Sequence, residues 1–155
     1  MKTNLLNIKE QVHQFLNSNI TQNKANSAYH CFELEILKTN LLEVLPYINC
    51  NTSFYFAPKN ESIEYLAVGA NQEITSKKEL TQYESMLRKN QKIKLFGGLK
   101  FDANKIPSQE WGTNKDCLFF IPMLLFKTCK KETIIQINVP QKIFDSEQEK
   151  LTFIF

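Results

Sequence analysis

The chain has 155 residues, 43% of them hydrophobic and 23% charged, with nineteen Lys and Arg against sixteen Asp and Glu for a formal net charge of +3. That balance excludes a disordered or fibrous chain and suits one packed domain. The charges are dispersed: the densest basic cluster, Lys127, Lys130 and Lys131, reads as a solvated turn, and no basic and aromatic RNA-reading pattern is present, so nucleic acid is not an expected partner. Cys31, Cys50, Cys117 and Cys129 are irregularly spaced with no C-x-x-C pair, which excludes a zinc-finger reading and leaves free thiols of a cytoplasmic protein as the expectation. The most apolar stretch, Cys117 to Phe126, contains Pro122 and is too short to cross a membrane as a helix, so it is expected to be a buried strand.

In chain order, Leu5, Ile8, Val12, Phe15 and Leu16 recur at helical spacing and predict an amphipathic helix from Asn4 to about Asn19. His13 falls within it as a helix-surface residue, because no second ligand stands at a chelating offset. From Ser27 to Leu37 the period changes to two, with Ala28, His30, Phe32, Leu34 and Ile36 on one face and Tyr29, Cys31, Glu33 and Glu35 on the other, which predicts a strand. Leu41 to Ile48 suggests a short helix limited by Pro46. Thr52 to Ala57 and Ser62 to Gly69 are aromatic and β-branched runs around Pro58-Lys59-Asn60-Glu61, a hairpin signature.

Ser76 and Glu79 have capping-box spacing, and Leu80, Tyr83 and Leu87 continue a helix to about Asn90. Lys92 to Phe101 returns to strand character around Gly97-Gly98, and Asp102 to Asp116 reads as a loop. Cys117 to Lys127 is the next strand, and Pro122 within it predicts an edge or a bulge, since proline donates nothing to a ladder. Thr133 to Val139 is its expected hairpin partner. The order does not alternate strand and helix, so the fold class is α+β, a largely antiparallel sheet with two to three flanking helices, forming a single domain over residues 1–155.

At the C-terminus, Asp145, Ser146, Glu147 and Glu149 announce a helix, yet the chain stops at Leu151-Thr152-Phe153-Ile154-Phe155. The alternative is a final short strand or tucked tail; the start signal favours an incomplete domain.

Local motifs reveal no catalytic centre. Gly97-Gly98 lacks the third glycine and the Lys-Ser or Lys-Thr of a phosphate loop and reads as a bulge or close backbone approach. Glu33 with Glu35, and Glu147 with Glu149, could form carboxylate pairs but have no base or metal partner nearby in sequence, so solvated charge is the default.

The blocks Phe54-Tyr55-Phe56, Tyr65-Leu66-Ala67-Val68-Gly69-Ala70, Leu95-Phe96-Gly97-Gly98-Leu99-Lys100-Phe101-Asp102, Glu110-Trp111 and Phe119-Phe120-Ile121-Pro122-Met123-Leu124-Leu125-Phe126 resemble, in order and spacing, the amino-terminal half of isochorismate synthases. The Gly-Gly-x-x-Phe-Asp and Phe-Ile-Pro blocks are shared with anthranilate and salicylate synthases, so the resemblance points to the chorismate-utilising enzymes first. It implies an isomerase that uses Mg²⁺ to hold the chorismate carboxylate, a lysine general base and a glutamate general acid, in menaquinone or siderophore biosynthesis. In that family these groups lie in the carboxy-terminal half, from a Lys-Val-Val-Leu-Ala-Arg-like strand that this chain does not contain, so no catalytic, cofactor-binding or metal residue is assigned. The expectation is an amino-terminal fragment, inactive alone, whose partner is the missing carboxy-terminal half or a second copy met through an exposed sheet edge. The alternative is a non-catalytic binding module with the same half-fold.

Overall fold

The computed structural model describes residues 10–12, 14, 15, 18, 28–48, 50–59, 61–99 and 117–144. The alternating runs build six strands: β1 (Tyr29–Leu37), β2 (Ser53–Phe56), β3 (Glu64–Ile74), β4 (Phe96–Leu99), β5 (Cys117–Thr128) and β6 (Glu132–Pro140). They join into one sheet of order β1-β6-β5-β3-β2, with β4 beside β5, and every pairing is antiparallel. The fold is therefore the antiparallel α+β arrangement expected, with the β2–β3 and β5–β6 hairpins in place.

Register explains the first of two hydrophobic layers. Phe32 lies opposite Ile137 and Leu34 opposite Ile135, while Leu124 and Phe126 lie opposite Ile137 and Ile135 from the other side. Leu66 and Val68 extend the same face through their pairing with Phe126 and Leu124. Helical residues close it over: Val12 is buried, Phe15 meets Phe32 edge to face at 6.2 Å, and Leu41 and Val44 are buried beside them. Each such side chain contributes about 1.5–3 kcal/mol on leaving water.

The Leu41–Val44 helix begins at Asn40, whose side-chain oxygen accepts from Leu42 N, and passes into a 3-10 turn at Leu45–Tyr47 that accommodates Pro46 near its start. Buried hydroxyls anchor the approach to it. Thr133 Oγ1 accepts from Thr39 N at 2.9 Å, Thr128 Oγ1 donates to Thr39 O at 3.2 Å, and the two hydroxyls lie 2.8 Å apart. The Lys77–Lys89 helix carries both halves of the capping box, with Ser76 Oγ accepting from Glu79 N and the Glu79 carboxylate accepting from Ser76 N and Thr75 N. Its apolar residues Leu80, Tyr83 and Leu87 are only half-buried.

The second layer requires the sheet to bend. Phe96 pairs with Phe120, and Tyr65 pairs with Lys127, seven residues further along β5. In a flat sheet that spacing is about 23 Å. Yet the Phe96 ring lies 6.1 Å from Tyr65 and 6.0 Å from Phe54. The end of the sheet bearing β4 has curled over the second face, burying Ala67, Phe96, Phe120 and Leu125 together, and Lys94 Nζ sits 5.3 Å from the centre of the Tyr65 ring.

The bend has a local cause. Ala70 pairs with Pro122 and Gln72 with Ile121, so Asn71 is an extra residue in β3. Just before it, Gly69 has φ +65°, and a Cβ there would lie 2.6 Å from Met123 Sδ. Pro122 thus stands at a bulge, as its sequence context implied, but not on an edge: β5 is central.

Several boundaries differ from the sequence reading. β3 continues through Gly69 to Ile74 because the bulge absorbs the irregularity. β4 is confined to Phe96–Leu99, where β5 offers a partner, while Lys92–Leu95 are not strand. Helical residues at 10–12, 14, 15 and 18 agree with the N-terminal helix. A short helix, Gln141–Phe144, directly follows β6. His13, the Asp102–Asp116 loop, Glu110-Trp111 and the helix expected from Asp145 lie outside the described residues.

At Gly97, φ is +145°, and a Cβ would lie 2.0 Å from Leu118 O, whereas one at Gly98 would meet nothing within 4 Å. Gly97→Ala is therefore expected to destabilise the chain by about 2–4 kcal/mol in urea unfolding, and Gly98→Ala to change it by less than about 1 kcal/mol.

Candidate functional site

The interior polar groups converge where β5 changes neighbours. On the side away from β3, its pairing with β6 ends at Leu124 and its pairing with β4 begins at Phe120, so Pro122 lies in the gap between them. A carbonyl there has no strand to receive it from that side, and side-chain amides take its place. Asn138 Nδ2 donates to Pro122 O at 2.9 Å, and Asn71 Nδ2 donates to Pro122 O at 3.3 Å and to Asn138 O at 2.6 Å. Gln136 Nε2 donates to Asn138 Oδ1 at 2.7 Å and to Lys92 O at 3.0 Å. Through Lys92, the network ties β3, β5 and β6 to the segment that leads into β4. Asn138 is fully buried and Gln136 is 7% exposed, and among the described residues no buried side-chain nitrogen or oxygen lacks a partner.

Chemically, this cluster holds geometry. Its groups are amides and carbonyls, which neither gain nor lose protons near neutral pH. A second interior contact ties β1 to the residue that follows its neighbour β6: buried His30 meets Gln141 Oε1 through Nε2, and Gln141 N donates to Ala28 O at 3.0 Å. The sequence reading did not single out Asn71, Gln136, Asn138 or Gln141. The available signal was that Gln136 and Asn138 share one face of an otherwise apolar strand, where unpaired amides would be costly.

The residues singled out from sequence are not brought together. Glu33 and Glu35 share a face of β1 and are exposed, and Glu33 sits 3.9 Å from Lys92 Nζ. Glu147 and Glu149 lie outside the described residues. The four cysteines are unpaired. Burial pushes the Cys31 thiol up to about 11, outweighing the Asn90 amide and Lys92, which favour the thiolate. Burial also pushes Tyr29 up to about 12, with Tyr83 adding to it. A thiol so poised is protonated at neutral pH and is not an activated nucleophile. Among the described residues, no group of three His, Cys, Asp or Glu side chains could hold a metal ion, and no helix is long and apolar enough to cross a membrane.

The bulged, bent antiparallel sheet and the glycine and proline blocks that shape it define a class. The model of the family described as chorismate binding enzyme matches residues 11–152, and the chain belongs to that family. Among solved structures, MenF, the menaquinone-specific isochorismate synthase from Escherichia coli, matches with a TM-score of 0.61 at 13% identity, over 90% of this chain and 31% of that one. At that identity the likeness is one of fold, and the chain spans about a third of the length of the solved enzyme. No curated protein matches.

Two outcomes test the interior. Asn138→Leu removes one of the two acceptors of the Gln136 amide and one of the two side-chain donors to Pro122 O, and is expected to cost about 2–4 kcal/mol in urea unfolding. Cys31, titrating near 11 rather than the ordinary 9.0, is expected to be alkylated at pH 8 about a hundredfold more slowly in the folded chain than in urea, read by peptide mass spectrometry. Its folded pKa is the higher one, so this group favours the folded state below pH 9 and progressively loses that contribution as pH rises through 11.

Proposed function

We propose that this chain forms the amino-terminal part of an isochorismate synthase, which interconverts chorismate and isochorismate, and that it is inactive alone. The observation that carries the reading is the family match over residues 11–152 combined with a fold match to just 31% of a solved isochorismate synthase. A match of that extent supports a reading in which this chain supplies part of the sheet and the reacting groups belong to the remainder of the enzyme.

The surface supports the same reading. Leu118, opposite Gly98 in the β4–β5 pairing, and Leu99, opposite Cys117, are 42% and 53% exposed, and the Lys77–Lys89 helix leaves its apolar residues half-covered. Apolar area of this kind suits a docking contact better than a self-contained module. Resemblance to the family further implies Mg²⁺, which would neutralise and orient the chorismate carboxylate. The described residues do not fit that ion, since no three-ligand cluster is present among them. Its ligands, the lysine base and the glutamate acid are assigned by this proposal to the carboxy-terminal part. A cytoplasmic site of action, with unpaired cysteines, and a product destined for menaquinone or siderophore synthesis belong to the same proposal.

The test is conversion of chorismate to isochorismate with Mg²⁺, followed by chromatography, for the chain alone and with the carboxy-terminal half of a related synthase added. No turnover alone and turnover on addition is the expected result. Turnover by the chain alone overturns it.

A further inference from the structure

The strands at the two ends of the β1-β6-β5-β3-β2 path differ in what they offer a second strand. β1 carries Glu33 and Glu35 in its middle, and symmetric antiparallel pairing of two copies there sets carboxylates of both chains against one another, which is unfavourable. β2, Ser53–Phe56, has no charge and no proline. Its outer edge is paired with no strand among the described residues.

The hydrogen-bonding phase of β2 is set by its pairing with β3. Gly69 N donates to Thr52 O at 2.9 Å, so Thr52 and Gly69 form a hydrogen-bonded pair. The β2–β3 register then makes Phe54 with Ala67 and Phe56 with Tyr65 the next such pairs. Ser53, Tyr55 and Ala57 therefore turn their backbone N–H and C=O groups away from β3. Three residues at a spacing of two, centred on Tyr55, are self-complementary about a two-fold axis perpendicular to the sheet. Such an axis places Tyr55 opposite its own copy as a hydrogen-bonded pair and Ser53 opposite Ala57, and keeps equivalent faces continuous. On the second face it sets Phe54 of each chain opposite Phe56 of the other. Phe56 is 48% exposed, and its ring lies 6.5 Å from that of Phe54, so an aromatic surface is already in place.

We propose that β2 is a self-association edge, through which two copies of this chain extend the sheet by antiparallel pairing about Tyr55. The proposal does not depend on the chain's enzymatic reading. A strand pair of this length covers well under the roughly 1,600 Å² of a standard interface, so the dimer is weak, with a dissociation constant on the order of tens of micromolar.

The test is sedimentation velocity of the full chain across concentrations bracketing that value, with circular dichroism to confirm folding. Tyr55→Pro removes the central outward donor and no β2–β3 hydrogen bond, which an edge strand tolerates. Phe56→Lys replaces a half-exposed ring with a charge. Each is expected to raise the dissociation constant about tenfold or more, whereas Glu33→Ser on β1 leaves it unchanged. A wild-type chain that stays monomeric throughout, or a dimer indifferent to both β2 substitutions, overturns the proposal. So does association only with the carboxy-terminal half of a related synthase, which assigns this edge to that part instead.

Discussion

The architecture rests on how a buried strand with a proline at its middle keeps its carbonyl bonded. Pro122 cannot donate to a neighbour, and its position between the β6 and β4 pairings removes the strand that would ordinarily accept or supply the missing bond on that side. An unpaired carbonyl in such a place costs on the order of 1–3 kcal/mol. Two amides, Asn71 and Asn138, answer it together, and Asn71 can do so because it is the bulged residue. The irregularity in β3, the glycine before it and the proline in β5 are thus one device. With that device in place the sheet can turn without leaving polar groups unsatisfied, and once it turns, Phe96 and Phe120 reach the rings of β2 and β3.

That turn divides the labour between the two faces. One is a conventional core, aliphatic and closed by helical residues at Val12, Leu41 and Val44. The other is aromatic, smaller and made by the sheet folding over itself, with charged residues such as Lys92 and Lys94 at its margin. Membership of the chorismate binding enzymes rests on the family match over residues 11–152. In this family part, the blocks most easily recognised are those that bend backbone: Gly69 before the bulge, Gly97 pressed against Leu118 O, and Pro122 at the gap.

Much of this was legible in the amino-acid order because alternation and capping are local. The period of two in β1 and β6, the capping box at Ser76 and Glu79, and the hairpin around Pro58 are set by residues near one another in the chain. What could not be read was non-local. Nothing around residue 92 says that its carbonyl will receive an amide from Gln136, and nothing in β5 says which strands will flank Pro122. The extension of β3 past Gly69 was hidden for the same reason: a glycine at that point reads as a strand end unless the bulge opposite Pro122 is known. The family resemblance, by contrast, was visible because the backbone-bending residues are themselves sequence blocks.

The contact between His30 and Gln141 joins residues 111 positions apart, and the whole β1–β6 ladder spans similar separations. Hairpins β2–β3 and β5–β6 close over a few residues and can nucleate early, but β1 finds its place only after nearly all of the intervening chain has condensed. Until then β6 presents an open, strongly apolar edge. The first strand in the sequence is therefore the last to be secured, and the interval before it docks is the period in which a nascent chain of this kind is most exposed to aggregation.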